Sequence, residues 1–238
     1  MYCPLCNFDK NSKIGQKNSH EIFKCEDCNF RFVYPRPSFE MLKDFYENYK
    51  STGNYLQKKD KKIARAARRI RRLMKLVPGR KFLDVGCNVG FATEAARQAG
   101  FTATGIDLDS VAIGIAATNF PGCAFVGSSV EDFAQSGETF DVIYCSEVIE
   151  HVIDIHSFAR AVSAMMSDKG VLFLTTPDAG HFRVPRNFAN WGEVIPPEHI
   201  SYFDQKSLTR LLEGYGLKLL SMQWHVKPGI RSTWQKVG

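Results

Sequence analysis

The amino-acid sequence predicts a doubly wound α/β fold with a mainly parallel sheet, an antiparallel edge and a small N-terminal knuckle of four cysteines. Strand and helix patterns alternate after Pro78, as they do when a parallel sheet carries helices on both faces. A strand pattern at Leu217–Trp224 follows a helix and predicts the antiparallel edge. Two Cys-x-x-Cys pairs close to the N-terminus predict the knuckle.

The composition is that of a globular protein, with 238 residues of which 44% are hydrophobic and 24% are charged. This length is enough to bury a substantial core. No stretch approaches the roughly 18 consecutive apolar residues that a membrane span requires, and the N-terminus lacks the basic and apolar run of a secretory signal. We therefore expect a cytoplasmic protein, and membrane-spanning, collagen-like and wholly disordered classes are excluded.

The first 37 residues contain two Cys-x-x-Cys pairs separated by eighteen residues, a spacing typical of a four-cysteine zinc site. Two such turns direct four thiolates at one ion, and metal binding stabilises short segments that bury little apolar surface. A redox function is the alternative, although it requires only one pair. The odd total of seven cysteines argues against a disulfide framework. We predict a structural zinc ion bound by Cys3, Cys6, Cys25 and Cys28.

Residues 38–77 are predicted to form a helical linker. Apolar residues at helical spacing predict one helix at Ser38–Tyr49 and an amphipathic helix at Asp60–Val77. Between Lys58 and Lys81 lie 12 of the 31 basic residues and only one acid. This basic face is either a solvated surface or a contact for phosphate on a sugar nucleotide, on RNA or on a membrane.

Residues 78–238 are predicted to form the main domain, in which short apolar strands alternate with amphipathic helices. The predicted strands are Lys81–Val85, Thr102–Ile106, Cys123–Val126, Phe140–Cys145 and Gly170–Thr176. The predicted helices are Phe91–Ala99, Ser110–Thr118 and Ser157–Met166. In such a sheet the ligand lies beyond the carboxyl ends of the strands, so functional residues are expected directly after each strand.

The loop after the first of these strands reads Asp84-Val85-Gly86-Cys87-Asn88-Val89-Gly90. It has glycines for a tight turn but departs from the dinucleotide fingerprint, which requires glycine where Asn88 and Phe91 stand. Asp84 suits a cationic ligand better than a phosphate. Asp107, after the second strand, is placed to accept hydrogen bonds from ribose hydroxyls. Together these features fit a nucleoside that carries a positive group and no phosphate chain.

Four segments in order resemble class I S-adenosylmethionine-dependent methyltransferases of types 11 and 23, which have Rossmann-like folds. Phe82–Gly90 resembles their first motif, and Gly105–Asp109 resembles their ribose-binding motif. Phe140–Ile143 with Glu147–Val152 resembles the motif of the fourth strand, and Gly170–Pro177 resembles the fifth strand. The resemblance implies a methyltransferase that uses S-adenosylmethionine.

The resemblance also implies which residues bind this cofactor. Asp84 would meet the ammonium group of the methionine portion, and Gly86 and Gly90 would let that portion approach the backbone. Asp107 would hold the ribose, and Leu108 would pack on the adenine. The remaining residues that the resemblance assigns to the cofactor are Cys87, Asn88, Ser129, Val130, Glu131 and Ser146.

An irregular segment at residues 177–206 is rich in proline and aromatic residues and is predicted to be an acceptor-side insertion. A helix is expected to follow, with Asp204 as its N-cap. The Pro-Pro-Glu-His run of the insertion resembles sugar-modifying methyltransferases in which a zinc knuckle precedes the same domain, including C-methyltransferases of nucleotide-linked deoxysugars. In these relatives a Glu-His pair and a tyrosine serve acid–base chemistry. The implied catalytic residues are His199 as first base, Glu198, Tyr202 and, as second candidate base, His151. Glu198 is expected to orient or tune His199.

Methyl transfer requires a positioned acceptor and, for a hydroxyl or a carbon acid, the removal of a proton. We expect a methyltransferase that acts on a small molecule of sugar or sugar-nucleotide type, with a phosphate on the acceptor as one interpretation of the basic helix. The first alternative is methylation of ribosomal RNA, since some guanine methyltransferases also join a zinc knuckle to this fold. The second is a zinc-dependent binding protein with a vestigial cofactor pocket. After His225, either a short final strand closes the sheet or the chain stops early.

Overall fold

The computed structural model of the protein describes residues 1–38, 41, 58–223 and 226–237. The helix predicted at Ser38–Tyr49 therefore lies almost entirely outside the described residues. Helix α1, Lys59–Leu73, is the predicted basic helix, and it ends one turn before the expected Val77. Its buried face consists of Ile63, Ala66, Ile70 and Leu73. No helix in the described part of the chain is long and apolar enough to cross a membrane.

Five parallel strands form the centre of a large sheet. They are β4 Lys81–Val85, β5 Thr102–Asp107, β6 Ala124–Gly127, β7 Phe140–Ser146 and β8 Met166–Thr176. Two antiparallel strands, β10 Leu217–Gln223 and β11 Ile230–Lys236, extend the sheet to the order β10-β11-β8-β7-β4-β5-β6. The predicted doubly wound fold with an antiparallel edge is confirmed. Because β5 and β7 lie on opposite sides of β4, the chain reverses direction there, and ligands of such sheets bind at this point.

Helices cover both faces of the large sheet. Their bounds are α2 Phe91–Gln98, α3 Ser110–Asn119, α4 Val130–Ala134, α5 Ile155–Met165 and α6 Gln205–Glu213. Successive residues of a strand point to opposite faces, which divides the core into two halves. Phe82 and Tyr144 pack with α1 and α2, whereas Leu83 and Ile143 pack with α5 and α6.

The N-terminal segment forms a second sheet, which is antiparallel and has four strands. In order across the sheet they are β1 Asn11–Lys17, β2 His20–Cys25, β3 Arg31–Tyr34 and β9 Ser201–Tyr202. β9 belongs to residues 177–206, so the N-terminal segment and the predicted acceptor-side insertion share one sheet. Cys3 and Phe30 also pack in the same core cluster as α5 and α6. The N-terminal segment is thus tied to one end of the large sheet.

The C-terminal part of the chain completes the large sheet with a hairpin. Asp204 caps α6 as predicted, because its carboxylate accepts a hydrogen bond from the amide of Ser207 at 2.8 Å. β10 is the predicted edge strand, and Trp224 lies outside the described residues. β11 pairs with both β10 and β8 and buries Trp234. Of the two expectations for the C-terminus, the structure shows the additional strand.

Candidate functional site

The loop between β4 and α2 has a backbone conformation that glycine favours. Gly86, Asn88 and Gly90 have positive φ angles of 68°, 48° and 81°. A Cβ atom on Gly86 would lie 2.5 Å from a methyl carbon of Val148, and one on Gly90 would lie 2.7 Å from the ring of Phe125. The shape of this loop therefore requires glycine at both positions.

Asp107 ties this loop to the end of β5. Its two carboxylate oxygens accept hydrogen bonds from the backbone amides of Asn88 at 2.7 Å and Asp109 at 2.9 Å. Burial raises the pKa of this carboxyl group. Each carboxylate oxygen has a second lone pair, so Asp107 keeps acceptor capacity for a ribose. The neighbouring Leu108 is 62% exposed, and its side chain is open to a planar ligand.

Asp84 lies deeper than its predicted role requires. It is 3% exposed, and its carboxylate accepts a hydrogen bond from the hydroxyl of Thr93 in α2 at 2.8 Å. Burial raises the pKa of Asp84 to about 7. Cys87 is also buried, and burial raises the pKa of its thiol. In the structure Asp84 is buried below the loop, where it contacts Thr93, and it does not lie at the exposed surface of the site.

The other predicted cofactor residues lie just after β6 and at the end of β7. Ser129 is the N-cap of α4, and its hydroxyl accepts a hydrogen bond from a backbone amide of that helix. Val130 is buried, and burial raises the pKa of Glu131. The hydroxyl of Ser146 lies 2.8 Å from that of Thr175. All the predicted cofactor residues therefore lie along the carboxyl-end edge of the parallel strands.

Two carboxylates and two imidazoles meet beyond the end of β7, and we call Glu147, Glu150, His151 and His199 the Glu–His cluster. The ligand-type atoms of Glu150, His151 and His199 lie within 4.8 Å of one another. The two imidazole rings are perpendicular, with centroids 4.7 Å apart. Burial and the charge of Glu147 raise the pKa of Glu150 well above its usual value. Such groups can accept a proton or bind a divalent cation.

Backbone carbonyls determine which nitrogen of each imidazole is protonated. Nδ1 of His199 lies 2.7 Å from the carbonyl oxygen of Glu193, and Nδ1 of His151 lies 2.9 Å from that of Glu198. Because a carbonyl oxygen only accepts, Nδ1 carries the proton in both rings and Nε2 carries the lone pair. Burial lowers the pKa of His199, and burial with the nearby His199 lowers the pKa of His151 to about 4. Both rings are therefore neutral near pH 7.

Two predicted catalytic residues, Tyr202 and Glu198, make contacts that differ from their expected roles. Tyr202 is 2% exposed, and its hydroxyl donates to the backbone carbonyl of His199 at 2.8 Å. Glu198 was expected to orient His199, but the carbonyl of Glu193 does so, and Glu198 orients His151 through its own carbonyl. The reason is a turn in which the amides of Glu198 and His199 both donate to Ile195, so that carbonyls and not the Glu198 carboxylate face the rings.

Glu150 is the member of the cluster that sequence reasoning missed. It is 1% exposed, and its Oε2 accepts a hydrogen bond from Thr176 at 2.9 Å. Its Oε1 is buried and has no hydrogen-bond partner among the described residues. A carboxyl group in this environment must be protonated or paired with a cation. The available signal was the spacing Glu147-x-x-Glu150-His151 directly after a strand.

The four cysteines of the N-terminal segment come together as predicted. Sγ of Cys3 lies 3.7 Å from that of Cys28, and Sγ of Cys6 lies 3.5 Å from that of Cys25. All four sulfur atoms lie within 4.8 Å of one another. A zinc ion bound at about 2.3 Å by four thiolates requires sulfur–sulfur separations of about 3.8 Å. The cluster therefore has the donor atoms and the size of a four-coordinate zinc site.

Part of the basic face of α1 is used in packing. The guanidinium group of Arg69 donates to the hydroxyl of Tyr144 at 2.9 Å, and the ammonium group of Lys59 lies 4.6 Å from the ring centroid of Phe120. The exposed cations of the helix and its C-terminal turn are Lys61, Arg65, Arg68, Arg71, Arg72 and Lys75. The basic face is thus partly a packing surface and partly a solvated one.

The family described as methyltransferase domain matches residues 54–222 of the chain. The chain belongs to this methyltransferase-domain family. The match includes the glycine loop, Asp107 and the Glu–His cluster. It therefore covers both the predicted cofactor residues and the predicted catalytic residues of this methyltransferase domain.

Curated relatives of this methyltransferase-domain chain include bacterial proteins named ubiquinone biosynthesis O-methyltransferase. The one from Actinobacillus pleuropneumoniae is 38% identical over 107 residues, which cover 41% of this chain and 46% of the relative. The one from Brucella ovis is 32% identical over 157 residues, which cover 58% of this chain and 63% of the relative. The chain spans about half the length of the curated relatives it matches.

Solved methyltransferase structures share the fold of this chain. A TehB-like S-adenosylmethionine-dependent methyltransferase from Corynebacterium glutamicum has a TM-score of 0.59 at 19% identity, with 78% of this chain and 98% of that chain covered. The magnesium protoporphyrin IX methyltransferase from Synechocystis PCC 6803, solved with bound S-adenosylmethionine, has a TM-score of 0.57 at 14% identity, covering 81% and 91%. These similarities confirm the predicted methyltransferase fold.

Proposed function

We propose that this protein transfers a methyl group from S-adenosylmethionine to a small-molecule acceptor. The observation that carries the proposal is the glycine loop joined to Asp107, in a chain of the methyltransferase-domain family. When bound, S-adenosylmethionine supplies a methyl group already activated on a sulfonium. The residues of the protein must hold the nucleoside, position the acceptor and move a proton.

The carboxyl-end edge of the sheet provides groups for each part of the cofactor. Asp107 would bind the ribose hydroxyls with the lone pairs that its two backbone partners leave unused. The exposed Leu108 would cover the adenine, whose edge would meet Ser129, Val130 and Glu131. The methionine portion would approach the loop above the buried Asp84, next to Gly86, Cys87, Asn88, Gly90 and Ser146.

We assign removal of the acceptor proton to Nε2 of His199, with His151 as the second candidate. The hydrogen bond from Nδ1 to Glu193 leaves the Nε2 lone pair of His199 as the basic site. The charge of Glu147 favours the protonated form of His199 and would stabilise the imidazolium that forms during transfer. His151 has the same tautomer but a pKa of about 4, which makes it the weaker base.

The acceptor that we propose has a hydroxyl group. Support comes from the relatives, which are named as O-methyltransferases, and from the neutral imidazole, which suits a hydroxyl that loses its proton as the methyl group arrives. The sugar or sugar-nucleotide acceptor implied by the Pro-Pro-Glu-His run stays a prediction. Methylation of RNA also stays a prediction, with the four-cysteine segment and the exposed part of the basic helix as its support.

We further propose that zinc bound by the four cysteines stabilises the N-terminal sheet. Four thiolates complete the coordination shell, which leaves no open position for catalysis at the metal. The sheet in turn supports the acceptor side through the pairing of β3 with β9 and through Arg36, which donates to the carbonyls of Val152 and Ile153 at 2.7 and 2.8 Å. In this proposal residues 1–37 are the knuckle, 38–77 the linker and 78–238 the methyltransferase domain.

Calorimetric titration of the zinc-loaded protein with S-adenosylmethionine and S-adenosylhomocysteine tests the proposed function. We expect both to bind the wild type, and Asp107→Ala to weaken both by at least about tenfold because hydrogen bonds to a charged carboxylate are lost. Asp168→Asn removes an exposed carboxylate on β8 and is expected to bind normally. No heat from the wild type with either ligand would contradict the proposal and favour the vestigial-pocket alternative. RNA that copurifies and is released steeply by salt would favour the RNA alternative.

A further inference from the structure

A cavity lies between the N-terminal sheet and the acceptor-side insertion, away from the carboxyl ends of β4 and β5. Its volume is about 320 Å³, which is at the lower end for small-molecule pockets. Its lining includes three cationic side chains, Lys24 from β2, Arg31 from β3 and Arg186 from the insertion. Phe188 and Val184 provide apolar surface beside them. The cavity is therefore lined by cations from three separate segments.

Two of these cations, Lys24 and Arg31, lie side by side on the sheet, which is unfavourable unless an anion lies near them. Lys24 and Arg31 are directly opposite each other in the register of β2 and β3, so their side chains leave the same face of the sheet. The pair before them on that face, Ile22 with Val33, packs in the core beneath the insertion. Like charges at directly opposed positions destabilise a sheet. This arrangement lowers the stability of the folded protein unless an anionic group lies between the two side chains.

The described residues supply negative charge here only at a distance, through Asp178 and Asp204. Nη1 of Arg31 is buried and has no hydrogen-bond partner, and none of the three cations has an ion-pair partner in the described part of the chain. The charges of Asp178 and Asp204 favour the charged form of Arg31, but neither carboxylate lies within ion-pair distance of its guanidinium group. Asp178 accepts a hydrogen bond from the amide of Gly180 at 2.9 Å, and Asp204 caps α6. The guanidinium group of Arg31 instead lies over the ring of Phe188, at 5.3 Å from its centroid.

We propose that this cavity binds the phosphate group of a small organic molecule, held by Lys24, Arg31 and Arg186 with Phe188 against its organic part. Three cations match the two negative charges of a phosphate better than the single charge of a carboxylate, and the planar fork of a guanidinium fits phosphate oxygens. The volume leaves room for more than a bare phosphate ion. The proposal needs neither the methyl donor nor the Glu–His cluster, so it stands or falls separately from the proposed function.

Calorimetric titration with inorganic phosphate, pyrophosphate and citrate tests the assignment. We expect pyrophosphate to bind the wild type more tightly than citrate, and Arg31→Gln and Arg186→Gln each to weaken it by about tenfold or more. Arg186 is exposed, so its variant also reports if Arg31→Gln folds poorly. The matched control is Arg183→Gln, an exposed arginine of the same insertion that does not line the cavity. Equal pyrophosphate affinities in all four proteins would overturn the proposal, as would tighter binding of citrate.

A second measurement uses the repulsion between the two opposed cations. In a phosphate-free buffer of low ionic strength, Lys24→Gln is expected to raise Tm by about 1–3 °C because it removes one of the like charges. Pyrophosphate is expected to raise Tm of the wild type more than that of this variant. Binding of S-adenosylhomocysteine should be unchanged in all of these variants. A lower Tm for Lys24→Gln, or the same pyrophosphate shift in both proteins, would show that no anion belongs between these cations.

Discussion

The proposed cofactor side, which is the glycine loop with Asp107, and the proposed acceptor side, which is the Glu–His cluster, are built from different kinds of contact. On the cofactor side, Asn88 in the loop after β4 and Asp107 at the end of the adjacent strand β5 are joined by one hydrogen bond. On the acceptor side, His151 follows β7, but His199 comes from a segment that pairs with the N-terminal sheet. Contacts between neighbouring loops shape the first side, and contacts between distant parts of the chain shape the second.

Because of this difference, we expect substitutions on the two sides to change different quantities, nucleoside binding on one side and the rate of methyl transfer on the other. Substitutions on the cofactor side should weaken binding of the nucleoside, because the loop backbone and Asp107 form one surface. Substitutions in the Glu–His cluster should slow transfer and leave the nucleoside bound, because the cluster lies beyond the end of β7 and takes His199 from a distant segment. A variant that affects both quantities together would show that the two sides are one unit.

The largest effect is expected for His199→Ala. Loss of a general base typically lowers the rate of a proton-coupled step by about 10²–10⁴-fold. We expect this loss in the formation of S-adenosylhomocysteine with an accepted substrate, and unchanged affinity for S-adenosylhomocysteine by calorimetry. His20→Ala, at the start of β2, is the matched control and should retain full activity. Normal turnover of His199→Ala would remove His199 from the mechanism.

The corresponding change on the cofactor side is Gly86→Ala. The new Cβ meets Val148 and the residue has a positive φ angle, so the loop must move. The left-handed conformation alone costs roughly 1–2 kcal/mol, and the clash adds to it, so we expect affinity for S-adenosylhomocysteine to fall by at least about tenfold. Gly137→Ala introduces the left-handed strain without the clash, because Gly137 has a φ of 72° and nothing within 4 Å of an added Cβ. If both variants bind normally, the loop is not the binding surface.

The cofactor side was predictable from the sequence because its information is local. A strand, a glycine turn and an acidic residue after the next strand identify the loop of Gly86 and Asp107 without knowledge of the rest of the chain. The buried position of Asp84 was not predictable, since it depends on the hydrogen bond to Thr93 in the following helix. The same local logic explains why the parallel strands were predicted to within a few residues.

The acceptor side was predicted less well because its geometry depends on distant segments. The two-residue strand β9 has no sequence signature, and its pairing with β3 decides where His199 and Tyr202 lie. Residue type alone suggested that the Glu198 carboxylate would orient His199, but the turn at Ile195 presents backbone carbonyls to both rings. Glu150 was overlooked for the same reason, since its importance appears only when His199 is brought beside it.

One titratable group on each side, Asp84 and His151, should respond oppositely to pH. Asp84 has a pKa of about 7 in the folded protein against a usual 3.8, so between these values the folded state holds a proton that the unfolded state lacks. Stability from this group therefore falls as pH rises from about 4 to 7. His151 has a pKa of about 4 against a usual 6.5, so in that window the unfolded state holds the extra proton. Stability from this group rises with pH and is lost as pH falls.

Denaturant unfolding between pH 4.5 and 6.5 separates the two contributions. Relative to the wild type, Asp84→Asn should make the slope of the unfolding free energy against pH more positive, and His151→Asn should make it more negative. Each change approaches one proton, which is about 1.4 kcal/mol per pH unit. Asp168→Asn, an exposed carboxylate, should leave the slope unchanged. Slope changes of the same sign in both variants would contradict the opposite protonation of Asp84 and His151.

The smallest effect is expected for Tyr202→Phe. This variant tests whether the Tyr202 hydroxyl only stabilises the acceptor side or takes part in the reaction. The variant removes the hydrogen bond to the carbonyl of His199, and we expect unfolding to become easier by about 1 kcal/mol. Because His199 keeps its Nδ1 contact with Glu193, the transfer rate should stay within about twofold of the wild type. Tyr215→Phe is the control, since it loses a similar hydrogen bond to His156 at a distance from the cluster. If Tyr202→Phe were a hundredfold slower at unchanged stability, the Tyr202 hydroxyl would have a role in the acid–base chemistry.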